Sequence, residues 1–288
     1  MNLSKKYLCT VALALLGAVA FPSCKGDGEK DQPTPPSEER ALISTLTVKG
    51  TSEHESEYFC TYQYSYDEAG RVSSVAVRGD FNRDHSFTYG NGMMTIAINS
   101  ENTIDSYEFL TDANGYIVKG ITGGDNLSAS RDAEGHLLQL LLEGYDDTYT
   151  LKWKGDLLSE ALCIRSDYYD ESITTTFVYS KTMNPAGLGL GIIYGLLGGE
   201  LSDIKSFPLR MWLGKQPPYL PSKVINHIAH DRKQYSEEDI TTFDATTDAK
   251  GRPVKIIVTE TSYEYDQYKD KKPLPDRKVV STIEITYK

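Results

Sequence analysis

The sequence predicts an all-β protein, folded as a large antiparallel meander of repeated hairpins. From Ala41 to Lys288, apolar and polar residues alternate with a period of two, as they do along a half-buried strand. Threonine, valine, isoleucine and tyrosine dominate these runs, and strands prefer these residue types. Turn glycines also recur at intervals of 20 to 23 residues, at Gly70, Gly92, Gly115, Gly135 and Gly155, and this interval is the length of one two-stranded hairpin.

Residues 1–23 are typical of a secretory signal peptide. Lys5 and Lys6 provide the positive start, and an uncharged apolar run follows from Tyr7 to Ala20. This run is shorter than the roughly 20 apolar residues that a membrane-spanning helix needs. The segment Phe21–Cys24 resembles a lipobox, although Phe21 stands where an aliphatic residue is usual. We therefore predict cleavage before Cys24 and lipidation of that cysteine. An ordinary signal peptide with an incidental cysteine is the alternative.

Residues 24–40 are predicted to form a disordered tether. After Cys24 the stretch is rich in proline and charge and has no aliphatic or aromatic side chain. Burial therefore cannot offset the entropy cost of ordering it. Asp27, Glu29 and Asp31 resemble the acidic signal that sends many Bacteroidetes lipoproteins to the cell surface, and a solvated linker explains them equally well. We expect a lipid anchor in the outer membrane, on the cell surface or the periplasmic face.

The charge of the chain argues against two classes of partner. Its formal charge is −11, which becomes −13 when Lys5 and Lys6 leave with the signal peptide. A field of that sign opposes binding to nucleic acid and to anionic lipid surfaces. The predicted contact with a membrane is therefore the lipid on Cys24.

Two cysteines, Cys60 and Cys163, stay in the secreted part of the chain. A disulfide would persist in an oxidising compartment, but it needs Cα atoms within about 7 Å of each other. Both residues lie in strand-like runs. Two buried thiols are the interpretation we favour, with a bridge as the alternative.

The recurring turn motif has the form Asp-x-x-Gly. It occurs at Asp67–Gly70, Asp112–Gly115, Asp132–Gly135 and Asp248–Gly251. The aspartate can accept backbone N–H bonds, and the glycine can adopt the left-handed conformation that closes a type I turn with a bulge. We expect one hairpin per repeat. Calcium binding by these aspartates is an alternative that the turn chemistry makes unnecessary.

The repeat rhythm breaks near residues 184–222. Asn184–Gly199 is apolar and rich in glycine, and Phe207–Pro221 is rich in proline and aromatic residues. The apolar part is too short and too interrupted by glycine to span a membrane. We predict a helix or loop that covers one end of the sheet. Strands are expected to resume near Val224, and residues 41–288 are expected to form one domain.

The Asp-x-x-Gly repeats resemble YD/RHS-type hairpins. With the lipobox and the interruption that ends at Leu220–Lys223, they resemble a family of Bacteroidetes lipoproteins that have a porin-like β fold and no assigned function. The resemblance covers most of residues 41–288. It implies a sheet that is curved or closed into a barrel, and it implies no active-site residues.

The sequence predicts no metal, cofactor or catalytic constellation. His227 and His230 have metal-like spacing only on a helix, whereas their surroundings favour a strand that points them to opposite faces. The run Asp80–Asp84 begins like an EF-hand loop, but His85 occupies the position of the turn glycine. We expect no cofactor.

Tyrosine is abundant, with 20 residues in the chain. Tyr58, Tyr62, Tyr64 and Tyr66 alternate along one run and could present flat amphipathic rings to a glycan or peptide. The alternative is cross-strand aromatic packing, which stabilises a sheet from within, and this is the interpretation we favour.

We therefore predict a non-enzymatic envelope or cell-surface lipoprotein that acts as a binding or scaffold module. Its partner would be a glycan, a peptide or an envelope protein. The alternative is a glycan-directed envelope hydrolase whose carboxylates the spacing does not reveal. An integral membrane barrel is opposed by the lipid anchor, the charge of −13 and the ending Tyr287-Lys288, because outer-membrane barrels usually end on an aromatic residue.

Overall fold

The strands follow the alternating runs of the sequence. The computed structural model describes residues 41–51, 57–80, 82–100, 103–122, 127–142, 147–165, 171–190, 214–230, 235–266 and 272–288. The strands of this part of the chain, β1 to β16, are Ile43–Thr51, Glu57–Tyr66, Val72–Gly79, Arg83–Gly90, Met93–Ser100, Ile104–Thr111, Ile117–Thr122, Leu127–Arg131, Leu137–Leu142, Asp147–Lys154, Leu157–Arg165, Glu171–Met183, Tyr219–His230, Tyr235–Thr247, Pro253–Asp266 and Lys272–Tyr287. The predicted signal peptide, Cys24 and the tether lie outside the described residues.

The sheet closes on itself. Each strand pairs antiparallel with its neighbours in sequence, and β1 also pairs with β16 from Ile43 to Gly50. The N–H of Lys288 donates to the carbonyl of Leu42 over 2.9 Å and extends this seam by one bond. The predicted antiparallel meander is therefore confirmed, and the sheet is closed into a barrel rather than only curved.

The connections between strands alternate between the two ends of the barrel. The Asp-x-x-Gly turns all follow even-numbered strands, and in an antiparallel meander such connections lie at the same end. We call this the turn end, and it also holds Ile43 and Tyr287. The other end is the loop end. Because each repeat is about one hairpin long, the four Asp-x-x-Gly turns all lie at the same end of the barrel.

The four turns share one hydrogen-bonding pattern. In the first, the N–H of Asp67 donates to Arg71 O over 2.8 Å, and the N–H of Gly70 donates to Asp67 O over 3.0 Å. Gly70 has a φ of 73°, and the glycines of the other three turns have φ between 75° and 88°. This is the left-handed conformation that the motif predicts, and it favours glycine because a Cβ there meets the following carbonyl.

The core fills the inside of the barrel. Buried side chains recur at every second position of most strands, for example Val75 and Val77 on β3 and Met94 and Ile96 on β5. In a closed sheet, every second side chain of a strand points into the barrel, where other side chains cover it. The buried side chains therefore form the inner face, and the exposed side chains that alternate with them form the outer face.

The predicted insertion joins β12 to β13 at the turn end. Strands resume at Tyr219 rather than near Val224, because Tyr219 and Pro221 already pair with Met183 and Tyr179 of β12. Residues 184–190 and 214–218 of the insertion are described. Leu188 and Leu190 are buried in the barrel core, so this part covers the turn end as predicted. No helix formed by the described residues has the length and apolar character that a membrane crossing requires.

Cys60 and Cys163 are both buried, and neither is in a disulfide bond. Cys60 lies on β2 and Cys163 on β11, and these two strands do not pair with each other. Burial raises the pKa of the Cys163 thiol to about 11, which keeps it in the unreactive protonated form at neutral pH.

We expect neither thiol to react with Ellman's reagent in folded residues 41–288 at pH 8 without reductant. After unfolding in guanidinium, both should react, because burial alone protects them. The measurement is the absorbance of the released thionitrobenzoate. A denatured chain that releases none would instead contain a disulfide between Cys60 and Cys163.

Candidate functional site

Each Asp-x-x-Gly turn organises side chains around it as well as backbone. At the first turn, Asp67 accepts the backbone N–H of Arg71 over 2.8 Å and its Nε–H over 2.7 Å. The guanidinium of Arg71 lies over the ring of Tyr89 on β4, 4.3 Å from its centroid. The Tyr89 hydroxyl donates to Val72 O over 2.8 Å. We call this set of aspartate, basic side chain and aromatic ring a turn clamp.

A second turn clamp joins the turn between β14 and β15 to the last strand, β16. Asp248 accepts the backbone N–H of Arg252 over 2.9 Å and its Nε–H over 2.8 Å. Arg252 lies 4.4 Å from the ring centroid of Tyr287 on β16, and the Tyr287 hydroxyl donates to Pro253 O over 2.9 Å. The arginine again follows the aspartate by four residues, and the ring again lies on the strand after the one that leaves the turn, so the repeat unit includes that ring.

The third turn clamp replaces arginine with His136. Its Nδ1 lies 2.9 Å from Asp132 Oδ2, and its ring stacks on Trp153 at a centroid distance of 4.5 Å. The Trp153 indole N–H donates to Leu137 O over 2.8 Å. The imidazole of His136 stacked on the indole of Trp153 takes the place of an arginine guanidinium stacked on a tyrosine ring. The arrangement of the turn clamp is therefore the same although the residue types differ.

Asp132, Glu134 and His136 bring three metal-ligand atoms within 4.8 Å of one another. However, His136 Nδ1 faces Asp132 and its Nε2 lies 3.2 Å from Asp156 Oδ1. Both ring nitrogens are therefore engaged with carboxylates, and Glu134 is exposed to solvent. We interpret this group as a turn clamp rather than as a metal centre.

The end of the insertion is fastened to the third turn clamp. Lys215 Nζ lies 2.7 Å from Asp156 Oδ1, and the N–H of Lys215 donates to Gly135 O over 2.8 Å. The hydrogen bond from Lys215, together with His136, lowers the pKa of the Asp156 carboxyl. The segment before β13 therefore lies directly on the turn between β8 and β9.

Asn184 holds the start of the insertion against its end. Its side-chain carbonyl accepts the N–H of Leu188 over 2.7 Å, and its amide donates to Leu188 O and Pro217 O over 3.0 and 3.1 Å. Asn184 is itself buried, so these bonds satisfy an amide that would otherwise be costly to bury. Neither Asn184 nor Lys215 was predicted from the sequence as a functional residue.

A cavity of about 610 Å³ opens at the turn end between the first turns and the start of the insertion. Its walls include the rings of Tyr66, Tyr89 and Tyr116, and Pro185 and Ala186 of the insertion contribute one side. The volume lies in the range of roughly 300–1,000 Å³ that is usual for small-molecule sites. This cavity is the candidate functional site.

The ring of Tyr66 is held firmly at the cavity wall. Its hydroxyl donates to Ile43 O over 2.8 Å, and Lys288 Nζ lies 4.6 Å from the ring centroid. Burial raises the pKa of Tyr66 to about 12 and also raises that of Tyr89. Both phenols therefore stay neutral donors at physiological pH.

The four tyrosines proposed from the sequence separate in the structure. Tyr62 and Tyr64 are buried in the core, and Tyr66 lines the cavity. The side chain of Tyr58 lies outside the described residues. Ligand contact by this group stays a prediction, and Tyr66 is the member whose position suits it.

The other sequence clusters stay apart from the cavity. His227 is exposed on strand β13, and the side chain of His230 lies outside the described residues. Asp80 accepts the N–H of Phe59 over 2.7 Å, and Asp84 pairs with Arg78 over 2.7 Å. Both carboxylates are therefore engaged by groups of the neighbouring strands β2 and β3.

Two acids, the buried Asp147 and the partly buried Glu171, flank Arg165 near the loop end. Asp147 Oδ2 lies 3.7 Å from Arg165 Nε, and Glu171 Oε2 lies 3.8 Å from Arg165 Nη1. Two carboxylates around one guanidinium also occur in purely structural ion-pair networks, so this group carries no argument for the hydrolase alternative.

Comparison with known proteins is informative about the fold. A porin-like protein from Bacteroides uniformis has a similar structure, with a TM-score of 0.59, 15% identity, and 86% of this chain and 99% of that chain covered. A porin-like protein from Bacteroides vulgatus has a TM-score of 0.53, with the same identity and coverage. No family model and no curated protein matches the sequence. At this identity the similarity shows the barrel fold, and the YD/RHS and lipoprotein resemblances stay predictions.

We expect Gly214→Ala to lower the free energy of unfolding by about 2–4 kcal/mol, because it combines backbone strain with a backbone clash. Gly214 has a φ of +102°, and a Cβ there would lie 2.3 Å from Gly135 O. Gly155→Ala is the matched control, since Gly155 has a φ of +58° and open space around its Cβ. Chemical unfolding should show a loss of about 1 kcal/mol for the control. Equal losses for the two variants would contradict the close contact at Gly214.

The turn clamps should make the stability of the barrel sensitive to acid. Desolvation opposes ionisation of Asp132, but hydrogen bonds from the backbone and side chain of His136 outweigh it, so the pKa of Asp132 is lowered on folding. A lowered carboxyl pKa contributes stability above the unfolded value of about 3.9, and that stability is lost as the pH falls through the folded value. Urea unfolding between pH 6 and pH 2.5 should therefore show a smaller loss of stability for Asp132→Asn than for the wild type. Identical pH profiles would contradict this contribution.

Proposed function

We propose that this chain is a lipid-anchored, non-enzymatic binding module of the bacterial envelope, and that it binds its ligand in the turn-end cavity. The observation that carries the proposal is the polarity of the barrel, which is apolar inside and largely polar outside. Transmembrane barrels have the opposite arrangement, with an apolar band facing lipid and a polar interior.

The outer face has no continuous apolar band among the described strands. Lys49 and Glu284 form an ion pair across β1 and β16, and both side chains are more than 40% exposed. Lysine on the lipid face of a membrane barrel costs roughly 2–4 kcal/mol at the bilayer midplane, and glutamate costs less. Several such residues together would make insertion unfavourable.

The apolar side chains of the outer face are interrupted by charge. Phe59 pairs with Lys49, and residues that pair directly across an antiparallel ladder share a face. In the same way Val178 pairs with Lys223 and Ile257 pairs with Asp244. This mixture suits contact with water, so the proposal assigns membrane attachment to the lipid on Cys24.

The tether would leave the barrel beside the cavity. Ala41, the first described residue, lines the cavity together with Leu42 and Ile43. Sixteen residues between Cys24 and Ala41 could span at most about 55 Å when fully extended. The barrel would thus stay within about that distance of the membrane that holds the anchor.

The proposal predicts that residues 41–288 are soluble and monomeric without detergent. Gel filtration with light scattering is the measurement. A requirement for detergent would contradict the polar outer face and would favour an integral barrel.

The anchor is tested separately in the full chain. The purified wild type should carry the mass of attached acyl chains, Cys24→Ala should lose that mass, and Cys9→Ala, a cysteine inside the signal, should keep it. A wild type without acyl chains, or a Cys24→Ala variant that retains them, would contradict lipidation at this residue.

A further inference from the structure

We infer that the turn-end cavity takes a neutral saccharide. This inference rests on the proposed function, because it names the ligand of the same cavity. Three features of the lining point to this class, namely its charges, its unused hydrogen-bonding groups and its rings.

The charged groups of the lining are already compensated. Arg71 is paired with Asp67 at 2.7 Å. Asp112 accepts the backbone N–H groups of Asn114 and Tyr116 over 2.9 and 3.0 Å, and its other oxygen lies 3.9 Å from Arg131 Nη1. A charged ligand would therefore lose its hydration without gaining an unpaired counter-charge, which is costly.

The unused hydrogen-bonding groups of the lining are uncharged. Among the described residues, the side-chain amides of Asn91 and Asn114 and the hydroxyls of Thr111 and Tyr116 make no hydrogen bond, and all four residues line the cavity. Amides and hydroxyls both donate and accept. This is the set of partners that a polyhydroxylated ligand requires.

The rings give the cavity wall rigid apolar parts, and one face of each carries a cation, Arg71 on Tyr89 and Lys288 on Tyr66. The hydroxyls of Tyr66 and Tyr89 are bonded to the carbonyls of Ile43 and Val72, so the rings are fixed before a ligand arrives. Fixed side chains reduce the entropy cost of binding. A sugar ring, with its apolar C–H groups and a rim of hydroxyls, complements a rigid, partly apolar wall bordered by amides.

A peptide fits this cavity less well. Extended peptides usually bind by adding a strand to an open sheet edge, and the closed barrel pairs its strands on both sides. The turn backbone of the lining is also bonded internally, with Thr111 N–H donating to Gly92 O over 2.8 Å and Gly115 N–H to Asp112 O over 3.0 Å. Main-chain recognition therefore has few partners here.

The test is calorimetric titration of the full chain in a zwitterionic detergent that contains no sugar. The probes are maltotriose, cellotriose, laminaritriose and triacetylchitotriose, with trigalacturonate and trialanine as charged and peptide comparisons. We expect at least one neutral trisaccharide to bind with a Kd below about 1 mM. Failure of all four neutral probes, or tighter binding of trigalacturonate or trialanine, would overturn the inference.

Two matched changes locate the site. Thr111→Phe should weaken binding at least tenfold by filling the cavity, whereas Leu110→Phe places the same ring on the exposed outer face and should leave binding unchanged. Asn91→Asp and Asn114→Asp keep residue types that turns accept but remove the amide donors, and each should weaken binding about tenfold. These two variants keep the test valid if Thr111→Phe does not fold, which its thermal unfolding curve will show.

The same titration separates this inference from the proposed function. Mass spectrometry of the recovered sugar detects cleavage. A bound and intact trisaccharide supports both the saccharide site and the non-enzymatic function. A shortened product would overturn the non-enzymatic function and uphold the saccharide site. Absence of binding in a chain that passes the solubility and anchor tests overturns the saccharide alone.

Discussion

Antiparallel pairing of β1 with β16 from Ile43 to Gly50 joins the first and last strands of a chain of hairpins. Without this ladder, a sixteen-stranded meander would have two open edges and two faces exposed to water. With it, the backbone groups of both end strands are paired, and the sheet has an inside. The inside then has to be filled, which is why valine, isoleucine, leucine and tyrosine occupy the inward positions. The polar outer face follows from the same division.

The turn end depends on a small unit that the chain repeats. An aspartate fixes the turn, a basic or imidazole side chain four residues later lies on an aromatic ring, and that ring donates to the strand that leaves the turn. A single exposed ion pair or ring contact contributes at most about 1 kcal/mol. The turn clamp matters mainly for its geometry, because it positions rigid rings such as that of Tyr89 around a cavity. The insertion completes the wall because Asn184 and Lys215 fasten both of its ends.

Much of this fold could be predicted from local pattern. The alternation along β2 puts Cys60, Tyr62, Tyr64 and Tyr66 on one face, and the glycine of each turn identifies its type. The candidate site was harder to predict. Tyr62 and Tyr66 look equivalent in sequence, yet one is buried in the core and the other lines a cavity, because position along the barrel axis decides which ring reaches the mouth. Tyr89 and Tyr116 were missed as cavity residues, although the hairpin-length spacing of the turns implied that their neighbourhoods converge.

By itself, the sequence determined the all-β class, the hairpin repeat, the turn chemistry and the place of the insertion, because each depends on residues close together in the chain. The signal pattern before Cys24 is equally local, and it predicts the anchor. Tertiary structure decided that the sheet closes, that the apolar face points inward and that Lys215 meets Asp156 at a sequence separation of 59 residues. These outcomes depend on contacts between residues far apart in sequence, and periodicity does not record which distant strands meet. The cavity at the turn end belongs to this second group, since it exists only where three turns, the start of β1 and the insertion come together.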